Sequence, residues 1–161
     1  MKLSVIYQYG NIETVKCIIE QLTDDAELVI YAKKTTNKLK AVAAGNVRIV
    51  RKKDVVSEAN GDFVSFILAD DEITDCYVES LLEAITEDAD YIPIRWKDVC
   101  WHDFTFSGCN PLPYIFTNVY RKNIKITING CLIDKEELKK YQSGKPLEKV
   151  TYKHYWRFDY E

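Results

Sequence analysis

Residues 61–73 place an almost unbroken apolar run, Phe63, Val64, Phe66, Ile67 and Leu68, directly ahead of three consecutive acids, Asp70, Asp71 and Glu72. A run this short and this apolar predicts a strand covered on both faces, the pattern of a parallel sheet. The acids fall where that strand leaves the sheet. Open α/β sheets bind their ligands at the carboxyl ends of the strands. Clustered carboxylates at that place suit a hard divalent cation, Mg²⁺ or Mn²⁺, holding a phosphorylated ligand. The competing expectation is a polar turn ahead of a helix.

The chain on either side supplies the helices that a parallel sheet requires. Residues 3–7 read as an apolar strand and Tyr9, Gly10 and Asn11 as a turn. A helix is predicted over 12–22, with Asn11 as its N-cap and Ile12, Val15, Ile19 and Leu22 as one stripe widened by Ile18. Residues 28–31 form the next strand, so the first two strands are expected to be parallel neighbours. Residues 33–44 are basic and weakly helical, 47–50 a third strand, and 52–60 a short helix or loop. Thr74 is expected to cap a helix whose Val78, Leu81, Leu82 and Ile85 share one face. Residues 90–96 read as a strand that Pro93 confines to an edge or a bulge.

Beyond residue 97 the pattern loosens. Extended chain is expected over 101–106, a loop over 108–113, and a strand or short helix over 114–121. An alternating strand is predicted over 124–128, a short charged helix over 134–141, and an aromatic-rich strand over 150–158. The expected class is α/β: a mainly parallel sheet flanked by helices, with a small antiparallel C-terminal part.

A length of 161 residues fits a single domain, 1–161, that buries a core of its own. The net charge of −3 excludes the basic footprint of a nucleic-acid binder. No apolar run approaches the length needed to span a bilayer, and the first residues read as a strand and not as a signal peptide, so the expected setting is cytoplasmic. The five cysteines are odd in number and form no CxxC pair, which is the usage of reduced, partly buried thiols. Cys100, His102, Cys109 and Cys131 match no common zinc spacing.

The segment from Gly61 to Asp71 resembles the glycine, acid, aromatic, apolar run and D-x-D-D signature of family 2 glycosyltransferases, which have the GT-A fold. The opening from Leu3 to Asn11 is similar to that family's first strand and turn. The resemblance divides the chain into a nucleotide-binding-like half, 1–96, and an acceptor-side half, 97–161. It implies a donor site drawn from Tyr7, Tyr9, Tyr31, Lys52, Ala69 and Asp70. It makes Asp70 the metal ligand and Asp71 a second ligand or a helix-entry residue. Leu68 falls where the family has its ribose-contacting acid. The family's base-reading acid after the second strand is replaced by Ala32, Lys33 and Lys34, leaving Tyr31 to stack on a base.

The same resemblance looks for a carboxylate that deprotonates the acceptor hydroxyl. Asp134 is one candidate and Asp103 the other. His102 and His154 titrate in a suitable range, with no partner evident in sequence. Tyr155, Trp156, Arg157 and Phe158 are similar to the family's tyrosine-rich terminal strand, although aromatic residues there serve equally to cover the sheet.

The function expected is metal-assisted transfer of a sugar from a nucleotide-sugar donor to a hydroxyl acceptor. The alternative is a catalytically inactive GT-A-like binding or structural module, of the kind a phage would carry as a virion component or a host-interacting factor, with a protein partner or a second copy of the chain. A nucleotidyltransferase ranks below both, because Tyr9, Gly10 and Asn11 are not the glycine-rich basic loop such enzymes carry.

Overall fold

The computed structural model describes residues 1–51, 54–98, 104–105 and 114–155. The first half winds as β1 (Leu3–Gln8), α1 (Ile12–Gln21), β2 (Ala26–Tyr31), α2 (Asn37–Val42) and β3 (Val47–Val50). A 3₁₀ turn at Val56–Glu58 leads to β4 (Phe63–Ile67), β5 (Glu72–Ile73) and α3 (Tyr77–Ala84). The second half holds β6 (Tyr91–Asp98), β7 (Phe104–Thr105), β8 (Asn118–Arg121), β9 (Ile128–Asn129), β10 (Leu132–Ile133), α4 (Lys135–Leu138) and β11 (Leu147–His154).

The large sheet runs β3-β2-β1-β4-β8-β6-β11-β5, with β7 paired to β6, and β9 and β10 form a separate antiparallel pair. β1, β2, β3 and β4 are mutually parallel, as are β6 and β11, while β8 runs antiparallel to both β4 and β6.

Alternation along the strands explains why these segments read as continuously apolar. Leu3, Val5, Tyr7, Leu28 and Ile30 face the core shared with Val15, Ile18, Val78 and Leu81 of α1 and α3. Ile6, Val29 and Val64 face a second core with Val55, Ala59, Tyr120 and Leu138. Both faces of the central strands are therefore dry, as a doubly covered sheet demands.

At the amino ends of β1 and β2 the second face carries polar residues. Glu27 is buried, and its carboxylate accepts from the Ser4 hydroxyl at 2.6 Å and from the Asn60 backbone N–H at 2.7 Å. Arg48 approaches it at 3.3 Å. Burial alone would raise this carboxyl, but the Ser4 and Asn60 hydrogen bonds and the Arg48 charge outweigh it and hold the carboxyl below its ordinary value. A lowered carboxyl stabilises the fold fully above its unfolded value of about 4.3 and loses that contribution as pH falls through the lower folded value. Glu27→Gln therefore lowers Tm at neutral pH, and the gap to wild type closes on acidification. A gap that stays constant down to acid pH would contradict this account.

Three local expectations are corrected. β6 is an interior strand between β8 and β11, despite Pro93, and the irregularity falls in its partner: the β6–β11 register shifts between Leu147 and Val150 and again before Tyr152. Residues 124–128 do not form the predicted strand, because Ile124 and Ile126 supply apolar cover to the second core without a ladder. α3 begins at Tyr77, three residues after Thr74, and Cys76 at its N-cap makes no side-chain capping bond. Gln21, at the end of α1, takes over the capping: its Oε1 accepts the Val78 N–H at 3.0 Å and its Nε2 donates to the Thr74 carbonyl at 3.0 Å.

Candidate functional site at the carboxyl ends of β1, β2 and β4

The chain leaves β1 toward β2 and β3 on one side and returns to β4 on the other. The strand order thus reverses between β1 and β4, and the crevice beyond their carboxyl ends is the place where such sheets take ligands. Of the residues that the sequence singled out, Tyr7, Tyr9, Tyr31, Ala69 and Asp70 lie at these strand ends.

Tyr7 forms the floor of the crevice. Its ring is fully buried, and its hydroxyl donates to the Ala69 carbonyl at 3.3 Å while accepting the N–H groups of Gly10 and Asn11 at 3.1 Å each. The structure thus gives Tyr7 and Ala69 the task of joining the tips of β1 and β4, in place of the direct ligand contact expected of them. Gly10 permits that closeness, since a Cβ there would lie 1.9 Å from the Ala69 carbonyl oxygen.

Two clefts open above this floor. One, of about 430 Å³, is lined by Gln8, Tyr31, Asp54, Phe66, Leu68 and the hairpin turn at Gly130, among others. The other, of about 420 Å³, is lined by Gln8, Tyr9, Tyr31 and Lys33, Lys34 and Thr36 beyond β2. They share Gln8 and Tyr31, so Tyr31 presents its ring between them. Tyr9 packs edge-on against Tyr7 with ring centroids 6.4 Å apart.

Asp70 lines a third hollow, of about 260 Å³, with Asn11, Glu13, Thr14, Cys17, Glu72 and Ile73. Asn11 is committed to α1, where its Oδ1 accepts the Thr14 N–H at 2.8 Å. The hollow is open and acidic, with Glu13 and Glu72 exposed on its rim.

Asp71 turns the other way. It is only 1% exposed and lies under β11. Its Oδ2 accepts the Tyr152 hydroxyl at 2.5 Å, its Oδ1 accepts the Tyr155 N–H at 2.9 Å, and His154 Nδ1 lies 2.8 Å from Oδ2. Both oxygens are engaged by the protein, so the structure gives Asp71 an anchoring role in place of the expected second metal ligand. Burial first, and then the Asp71 charge, push the Tyr152 hydroxyl well above its ordinary value, so it remains a proton donor to the carboxylate.

Asp134 is likewise occupied. It is exposed at the N-cap of α4, where Oδ1 accepts the N–H groups of Glu136 at 2.9 Å and Glu137 at 3.2 Å. The structure thus places this candidate base at a helix cap, away from the β1/β4 crevice. The other candidate base, Asp103, together with Lys52, His102 and the terminal residues Trp156, Arg157 and Phe158, lies outside the described residues.

Sequence reasoning missed the cluster of Asp71, Tyr152 and His154, because its members stand 81 and 83 residues apart. Asp70 and Asp71 fall in a turn beyond β4, so no strand periodicity in the sequence marks which of the two acids points inward.

No protein-family model and no curated protein sequence matches the chain. Solved structures do. S. aureus TarS 1-349 in complex with UDP-GlcNAc superposes with a TM-score of 0.71 at 17% identity, over 98% of this chain and 59% of that one. The same fragment in complex with UDP gives a TM-score of 0.68 at 16% identity, over 97% of this chain and 61% of that one. The fold is GT-A-like. Against S. aureus TarS the TM-score is again 0.68 at 16% identity, and 97% of this chain spans 37% of that one. The chain therefore corresponds to about three-fifths of the shorter TarS chains and a smaller part of the longer one. Among the described residues, no helix is long and apolar enough to cross a membrane.

Proposed function

We propose that this GT-A-like domain binds a nucleotide-sugar donor in the β1/β4 crevice and transfers the sugar to a hydroxyl acceptor. The observation that carries the reading is the open acidic hollow at Asp70, at the end of the sheet where two further clefts open. The fold likeness to chains solved with UDP and UDP-GlcNAc supports the same reading.

The donor set fits a divalent ion only in part. Among the described residues, no three His, Cys, Asp or Glu side chains are grouped to hold a metal. Mg²⁺ and Mn²⁺ need no such cage when the ligand's own phosphates and water complete the shell, and Asp70 would then be the protein's carboxylate. When bound, the ion would neutralise charge on the departing diphosphate. The chain's part is to hold the base against Tyr31 and to exclude water with Leu68 and the β9–β10 hairpin turn. A carboxylate must accept the acceptor proton as its oxygen bonds to the anomeric carbon and the bond to the diphosphate breaks. With Asp134 committed to its cap, Asp103 is the proposed group.

A second reading, an inactive binding module, draws on Leu68 at the family's ribose-contacting position and on the engagement of Asp71. A thermal-shift titration separates the two. With millimolar Mn²⁺, at least one of UDP, GDP and CDP raises Tm, by about 2.7 kcal/mol of added stability at a hundredfold excess over Kd. Without metal, or in Asp70→Ala, the shift disappears. No shift with any of the three would favour the module.

A further inference from the structure

The tip that carries Asp70 is held from a distant part of the chain. The Asp71 N–H donates to the Leu68 carbonyl at 3.1 Å and closes a tight turn around Ala69 and Asp70. The Tyr152 hydroxyl reaches both flanks of that turn: it accepts the Leu68 N–H at 3.0 Å and donates to Asp71 Oδ2 at 2.5 Å. His154 Nδ1 and the Tyr155 N–H complete the grip on the Asp71 carboxylate. Just beyond it, β5 pairs with β11 through Ile73–Tyr152 and Glu72–Lys153, and the Thr74 N–H donates to the Thr151 carbonyl at 3.0 Å.

The parts of this clamp are themselves rigid. Tyr152 is fully buried and stacks on Phe116 with ring centroids 5.0 Å apart, and His154 stacks on the same ring at 4.3 Å. The Tyr7 hydroxyl holds this turn at the Ala69 carbonyl, and two buried side chains, Tyr152 and His154, hold it at Leu68 and Asp71 from β11.

We infer that Tyr152 and His154 are positioning residues that set the Asp70 carboxylate for its ligand through the buried carboxylate of Asp71. The inference rests on the reading of Asp70 as the carboxylate that meets the metal. Removing a group that hydrogen-bonds a metal ligand directly changes metal affinity about 10- to 100-fold, and Tyr152 and His154, acting one residue removed through Asp71, are expected at the lower end of that range.

The test measures Mn²⁺ binding in the presence of saturating UDP, by the loss of the free Mn²⁺ EPR signal, in wild type, Tyr152→Phe and Tyr77→Phe. Tyr77 is an equally buried tyrosine beside Tyr152, with ring centroids 6.3 Å apart, so its variant controls for the loss of a core hydroxyl. The expected result is an Mn²⁺ affinity about tenfold weaker in Tyr152→Phe and unchanged in Tyr77→Phe. Folded Tyr152→Phe that binds Mn²⁺ as tightly as wild type would overturn the inference and leave the functional reading standing. Wild type that binds no Mn²⁺ with UDP would overturn both. Should Tyr152→Phe not fold, His154→Asn and His154→Ala decide. Asparagine keeps an N–H donor for Asp71 and retains the tighter binding, whereas equal weakening in both sinks the positioning role.

Discussion

Asp71→Ala lowers Tm by roughly 6–20 °C. The carboxylate is buried and receives the Tyr152 hydroxyl, the Tyr155 N–H and the close approach of His154 Nδ1. Alanine removes the acceptor that those buried groups share. Breaking a buried polar pair from one side typically costs about 3–5 kcal/mol, because the remaining partner keeps its desolvation penalty. For a chain of this size each kcal/mol moves Tm by about 2–4 °C, which gives the range stated. Asp71→Asn keeps the shape and one acceptor oxygen, so its loss is smaller. Thermal unfolding followed by circular dichroism reads both variants. An Asp71→Ala protein with wild-type Tm would mean that the anchor carries no weight and that β11 is held by its ladder alone.

Gly10→Ala damages fold and site together. The added Cβ would meet the Ala69 carbonyl oxygen at 1.9 Å and its carbonyl carbon at 2.6 Å. Both are backbone atoms, so no rotamer change relieves the clash, and the tips of β1 and β4 must part. Overpacking of this kind costs about 1–3 kcal/mol, or about 2–12 °C in Tm for a domain of this length. Parting the tips also breaks the Tyr7 hydroxyl's link between Gly10, Asn11 and Ala69, at the point where the ligand crevice opens. The variant therefore loses nucleotide binding beyond what its reduced stability explains. Binding at a temperature where Gly10→Ala is fully folded separates the two effects. Wild-type affinity there would show that the crevice tolerates the displacement.

The architecture of the first half was legible because its signals are local. Asn11 caps α1 as read, and Val47–Val50 is the strand that its composition suggests. The parallel pairing of β1 and β2 follows from one intervening helix. That Asp70 and Asp71 lie beyond a carboxyl end of the sheet was legible too, since they follow the apolar strand β4. What each acid does was not. Asp70 and Asp71 look alike in sequence, and only β11, arriving from 81 residues away, makes one an anchor. Asp134 sat in a region whose resemblance suggested chemistry, but its side chain answers the more immediate demand of the α4 N–H groups. Pro93 suggested an edge because proline lacks a donor, and the irregular register of β11 accommodates it inside the sheet.

The most direct test of the central claim is to see where a metal-nucleotide complex sits. Two-dimensional ¹H–¹⁵N spectra of the labelled protein, titrated with UDP and then with trace Mn²⁺, report this residue by residue. The account predicts that UDP shifts the amides of Tyr9, Tyr31 and Leu68, and that Mn²⁺ then broadens those of Asn11, Ala69, Asp70 and Glu72 while the Glu27 network at the opposite end of the strands stays sharp. Broadening centred elsewhere, or no change at the carboxyl ends of β1 and β4, would contradict it.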